Sequence, residues 1–272
     1  MTPASPVQHS PGPRSARPSL VRLLVIAVLI VAAVGVAFGT WYFFLRTPPA
    51  PVSLGSTPTI SPSAAVGASS QQVPSGTAVT GSPSAGAGAL DGSWSVDPSV
   101  GSFSDFSSSF VGYRVKETLG DVGLNTAVGR TPDVTGTLTV AGASVVAVEM
   151  TADLTNLQSD DGRRDGQLRR QGIETQQFPT ATFRLTSPIS LAALPADGQA
   201  FTATAVGDFT LHGVTKSVEI PVEARRSGEV VTIVGSLPIL FADYQIDKPR
   251  SPAVVSIEDN GIMEFQLHFT RD

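Results

Sequence analysis

The residues whose types could do chemistry lie between 160 and 216, with two histidines outside. His212 stands in the run AVGDFTLHGVTK, residues 205–216. As a general base it would need a nucleophile or partner carboxylate in a recognisable relation to it, and none is legible. Its place beside Gly213, between two apolar-alternating runs, reads instead as a hairpin turn that it sets by local hydrogen bonding. Asp208 is expected to shape the same hairpin with Thr210 or Lys216. Arg163, Arg164, Arg169 and Arg170 crowd one short segment. Guanidinium forks suit a phosphate or other polar head, with Arg164 and Arg169 the candidates; the alternative is a solvated helical face, with Arg164 or Asp165 pinned to a neighbouring strand. Asp160, Asp161 and Asp165 lack the spacing of a calcium loop and read as helix N-capping. His268 falls on the polar face of a strand and is expected to face solvent, and His9 lies in a polar tail. The chain holds three histidines and no cysteine, which excludes disulfides, thiolate zinc sites and a cysteine nucleophile. No metal, no cofactor and no catalytic residue is expected, and the chain reads as non-enzymatic.

The elements that must position these residues show a period of two. Met263, Phe265, Leu267 and Phe269 alternate with Glu264, Gln266 and His268. Val148 to Leu154, Val134 to Val140 and Val218 to Val222 alternate in the same way, and further runs lie near 110–118, 182–190, 200–211 and 229–237. Each run has one apolar and one polar face, as antiparallel strands around a common interior would. About eight strands in one domain predict an all-β, antiparallel barrel, because closure removes exposed sheet edges. One segment, about 160–174, breaks the pattern. With Asp160 or Asp161 as N-cap, no proline or β-branched residue from Arg163 to Gln171, and Gly172 to end it, it predicts a short helix at the barrel mouth.

The remaining chain divides by composition. Residues 1–22 are polar and rich in Pro and Ser, the expectation being a disordered cytoplasmic tail. Leu23 to Leu45 are 23 uncharged, mostly aliphatic residues, enough to cross roughly 30 Å of hydrocarbon, with an aromatic cluster at Trp41–Phe44. Three arginines precede this stretch and one follows, so a single-pass anchor would leave the C-terminal part outside the cytoplasm. Residues 46–90, dominated by Pro, Ser, Thr, Gly and Ala, predict a disordered linker, and 91–272 the barrel domain. All 23 acidic residues lie from Asp91 onward with 14 of the 18 basic ones, which leaves this part near −9 and argues against nucleic-acid binding.

At this point the motifs carry a resemblance. Trp94-Ser95-Val96-Asp97, Ser109 to Val115, Thr135 to Leu138, Arg164-Asp165 with Leu168, Phe178 to Phe183, and Gly207 to Lys216 follow one another as in the YceI-like family of lipocalin-like, polyisoprenoid- or lipid-binding barrels. Gly172 to Thr175 and Phe241 to Asp247 depart from its pattern. The resemblance implies an interior tunnel for an extended apolar chain, isoprenoid or fatty-acyl. Phe110, Leu138, Met150, Leu154, Leu168, Phe178, Phe183, Phe209, Leu211, Phe265 and Leu267 are then the candidate lining. The function expected is that of a membrane-anchored extracytoplasmic carrier or store of such a lipid, with a homodimer left open. The alternative is a non-catalytic stress-response or interaction module with a packed barrel.

Overall fold

A computed structural model describes residues 28–36, 48–55, 90–120, 123–191 and 196–272. The chain separates into two units, Met1–Thr47 and Pro48–Asp272. In the first, residues 28–36 form a helix, α1, with its side chains exposed. Among the described residues no helix is long and apolar enough to cross a membrane. The ends of the expected anchor, the N-terminal tail and most of the expected linker fall outside the described residues.

The second unit is a closed antiparallel barrel. Its strands are β1 (Gly92–Val96), β2 (Phe110–Leu119), β3 (Gly123–Thr131), β4 (Val134–Ala141), β5 (Ser144–Asp153), β6 (Gln158–Ser159), β7 (Thr180–Leu185), β8 (Ile189–Ser190), β9 (Ala200–Leu211), β10 (Val214–Ser227), β11 (Val230–Leu240), β12 (Val254–Ile257) and β13 (Asn260–Arg271). Eight of them make the ring in the order β1-β4-β5-β7-β9-β10-β11-β13, and a direct β1–β13 pairing closes it. β2 pairs with the other part of β13, from Ile262 to Gln266, and carries β3 and the short β6 beyond it. The expected strands are all present. Only the 182–190 run is divided, because Pro188 supplies no backbone donor and separates β7 from β8.

Local chemistry explains the turns. β9 and β10 pair through to Leu211↔Val214, so His212 and Gly213 are the two turn residues, with φ of 52° and 73°. Positive φ at both positions is what a tight type I′ hairpin requires. The predicted helix is α2 (Gly162–Leu168), shorter than expected. The Asp161 side chain accepts from the Arg163 backbone N–H at its start, and Gly172, at φ 70°, lies in the turn after it.

The barrel wall has a second layer outside it. Residues 102–109, with a 3₁₀ turn over Phe103–Asp105, fold across β13, where Gln266 donates to the Phe106 and Ser108 carbonyls at 3.0 and 2.9 Å. His268 is fully buried there, which corrects the expectation that it faces solvent. Its Nε2 meets the Ser107 carbonyl at 2.8 Å, so that nitrogen carries the proton, and its Nδ1 accepts from the Thr232 hydroxyl at 2.9 Å. Alternation correctly separated His268 from the core face but carried no information about what covers the other face.

Candidate functional site

The inward faces of the ring enclose a cavity of about 220 Å³ whose walls are almost wholly aliphatic and aromatic. It begins between the β4–β5 and β10–β11 hairpins, where Val140, Val145, Phe201 and Val231 line it, and runs past Met150, Phe183, Phe209 and Met263. Leu211 and Val214, next to the His212 turn, are not part of it.

Its bore has a specific cause. Large inward side chains lie against glycines of the adjacent strand: Phe265 on Gly235 directly opposite, Phe183 on Gly207 and Met150 on Gly136. A Cβ on either Gly207 or Gly235 would stand 2.5 Å from the neighbouring ring. The glycines let the rings lie flat along the wall, leaving the lumen open instead of filling it. Outside the ring Tyr113 of β2 lies on Gly129 of β3 in the same way; its hydroxyl is buried with no hydrogen-bond partner among the described residues, and burial pushes the phenol pKa up.

Of the sequence candidates, Leu138, Met150, Leu154, Phe183, Phe209, Phe265 and Leu267 line the cavity. Phe110, Leu168, Phe178 and Leu211 do not. Phe110 sits on the opposite face of β2 from the lining residue Val111, with the Arg130 guanidinium 4.3 Å from its ring. Leu168 packs on the core beneath α2, Phe178 stacks on His212 with ring centroids 4.3 Å apart, and Leu211 is fully buried beside the turn.

Arg164 and Arg169 also lie away from the cavity. Arg164 donates to Glu117 on β2 at 2.7 Å and pairs with Asp160; Asp165 accepts from the Ser159 N–H and hydroxyl at 3.0 and 2.6 Å. Both residues pin α2 to neighbouring strands, so α2 is not a lid on this cavity. His212 ties three segments together, its Nδ1 donating to the Tyr244 carbonyl at 2.9 Å and its Nε2 facing Glu174 at 3.2 Å. Lys216 pairs with Asp243 at 3.0 Å and Thr210 with Thr215 at 2.8 Å, so neither serves Asp208 as expected.

Sequence reasoning missed the charged residues next to the cavity: Arg226 at its β10–β11 end, and Arg225 and Glu264, whose strand neighbours line the lumen while they face the outer side of the wall. Glu264 is 2 % exposed and bridges two buried guanidiniums, Arg114 Nε and Arg130 Nη2, each at 2.7 Å. The same two arginines donate to the Pro49 and Ala50 carbonyls, the latter at 2.9 Å. Residues 48–55 therefore form a strap on the barrel, with Leu54 only 3 % exposed. Opposite charges four positions apart would have been a sequence signal; Arg114, Arg130 and Glu264 are separated by up to 150 residues and leave none. Among the described residues no group of three or more His, Cys, Asp or Glu could hold a metal ion.

Comparison with known proteins agrees with this architecture. A family model described as a YceI-like domain matches residues 94–269. UPF0312 protein VPA0850 of Vibrio parahaemolyticus is 30% identical over 118 residues, which cover 41% of this chain and 59% of that protein. A polyisoprenoid binding domain from Saccharophagus degradans, implicated in plant cell wall breakdown, superposes with a TM-score of 0.51 at 20% identity over 66% of this chain and 98% of that one. BcnA of Burkholderia cenocepacia is similar at TM-score 0.47 and 21% identity, over 64% and 98% of the two chains.

Proposed function

The chain belongs to the YceI-like family, and on that premise we propose that it binds a long-chain isoprenoid or fatty-acyl lipid in its barrel, for carriage or storage. The observation that carries this reading is the apolar cavity kept open by glycine-backed rings. Burying an extended chain there contributes roughly 0.8 kcal/mol per methylene, so affinity comes from chain length. The solved polyisoprenoid binding domain of the same fold supports this ligand class.

The second half of the proposal is location. The uncharged stretch 23–45 anchors the protein as a single membrane pass, and the arginine bias places the barrel outside the cytoplasm. An anchored barrel handles lipid locally. Among the described residues that line the cavity none pairs a base with a nucleophile, and the reading is one of binding without turnover.

The test is to purify the full chain from a bacterial host, extract it with organic solvent and identify the extract by mass spectrometry. A stoichiometric isoprenoid or fatty-acyl species is expected. A clean extract, with no uptake of added lipid on re-incubation, would leave a packed interaction module in its place. Carbonate washing of membranes checks the anchor: the chain stays in the pellet if 23–45 spans the bilayer.

A further inference from the structure

The outer face of the wall, turned away from the lumen, carries a groove with chemistry of its own. Along β13 the residues that alternate with the lining are Glu264, Gln266 and His268, all buried. In register beside Glu264 stand Gly112 on β2 and Arg130 on β3. A Cβ at Gly112 would stand 2.8 Å from the Arg130 Cγ, so the missing side chain lets this guanidinium cross β2 to Glu264. Arg225 of β10 lies in the row of Thr232 on β11 and His268 on β13, on the same outer face. The strap joins these positions. Its Pro49 and Ala50 carbonyls accept from Arg114 and Arg130, and its Leu54 carbonyl accepts from Arg225 Nη1 at 3.5 Å.

The strap suits the groove in shape. Prolines at 48, 49 and 51 favour an extended polyproline backbone, which leaves its carbonyls free to accept, and Leu54 is the buried apolar anchor. It does not suit the groove in charge. Three guanidiniums, Arg114, Arg130 and Arg225, face one carboxylate, Glu264, which leaves two positive charges unmatched. Residues 47–90 contain no charged side chain, so the strap brings only neutral acceptors. Arg225 is the least satisfied of the three: its Nε is buried with no hydrogen-bond partner among the described residues. Glu223, the next residue on this face of β10, is exposed and does not pair with it. A charged acceptor would serve these donors better, because charge-assisted hydrogen bonds are roughly twice as strong as neutral ones.

We propose that this groove is a docking site for an extended acidic segment of a partner protein, and that residues 48–55 are its built-in competitor. The strap displays the shape the site accepts, a proline-rich main chain followed by a buried leucine. The unmatched guanidiniums define what the strap lacks, a carboxylate beside that leucine. Ser53 and Gly55 flank Leu54 and are both exposed, so glutamates at the equivalent places of a partner come within reach of Arg225. The strap competes from within the same chain, and the added charge is what lets a partner displace it.

The test follows the fluorescence anisotropy of two labelled peptides, Pro-Pro-Ala-Pro-Val-Glu-Leu-Glu and its neutral match Pro-Pro-Ala-Pro-Val-Gln-Leu-Gln. Each is titrated with the purified full chain as wild type, as Leu54→Ala, which loosens the strap, and as Arg225→Gln. The acidic peptide is expected to bind about tenfold more tightly than the neutral one, and most tightly to Leu54→Ala. That advantage should shrink in salt of about 0.5 M and vanish in Arg225→Gln. Equal binding of the two peptides, or an advantage that survives Arg225→Gln, would overturn the proposal. So would a failure of the acidic peptide to bind either wild type or Leu54→Ala. Should Leu54→Ala not fold, the full chain with Ser53→Glu/Gly55→Glu in its own strap decides. A melting temperature above that of Ser53→Gln/Gly55→Gln would support the site, and equal melting temperatures would overturn it.

Discussion

Gly207 and Gly235 show how much a missing side chain can determine. Replacing either with alanine sets a methyl 2.5 Å from the Phe183 or Phe265 ring, and the ring must rotate into the lumen. Overpacking of this kind costs about 1–3 kcal/mol. Each variant should therefore show a lower denaturation midpoint together with reduced lipid uptake, whereas a surface Gly142→Ala, with open space around it, should keep its lipid uptake. Glu264 is the opposite case, a side chain whose removal strands its partners. Glu264→Gln leaves the Arg114 and Arg130 guanidiniums buried without a counter-charge, and a loss of about 3–5 kcal/mol is expected in chemical denaturation. His268 makes stability depend on pH. Burial holds its pKa below the ordinary value near 6.5, so the unfolded chain takes up the proton more readily than the fold. Its contribution is intact above about 6.5 and declines as pH falls through that value toward the lower folded one. In His268→Asn, the change in unfolding free energy between pH 7 and pH 5 should be correspondingly smaller.

At the scale of elements, the strap formed by residues 48–55 is the unexpected part. Deleting it removes the carbonyls of Pro49 and Ala50 from two buried arginines and uncovers the surface under Leu54. Each donor left unsatisfied costs about 1–3 kcal/mol, and each kcal/mol lowers the melting temperature by about 2–4 °C in a domain of this size. A thermal melt of the full chain with and without 48–55 checks this. The strap was invisible in sequence because its contacts are backbone carbonyls, which any residue supplies. Strand identity was legible wherever one face is apolar, as in β5, β10 and β13. β3 escaped notice because Ala127 to Thr131 are all buried, so the two faces do not alternate. β2 was found but read with the wrong face inward. Phe110 and Tyr113 put an aromatic on each side, and only the pairing Val111↔Phe265 shows which side meets the lumen. The arginines of α2 were misplaced for a related reason: clustered charge is conspicuous in a sequence whichever surface it ends on, and Arg164 is spent on Glu117 and Asp160.

At the scale of the molecule, ligand and fold are coupled. A lipid that binds only the native barrel adds stability by mass action, about 2.7 kcal/mol at a hundredfold excess over its dissociation constant. Delipidated protein should melt below the protein as purified, and re-addition of lipid should restore the difference. Closure of the ring also bears on how the chain reaches this state. β13 holds together β11 on one side and both β1 and β2 on the other, and the Asp272 N–H still donates to Ser93 at 3.1 Å. During synthesis β1 emerges almost 180 residues before the strand that completes its pairing. Until that strand arrives, one edge of β1 and one edge of β11 stay open to other chains, and assembly is slow, as for any topology built on distant pairings. A chain cut just before Gly261 would be an open, self-associating sheet, not a slightly shorter barrel.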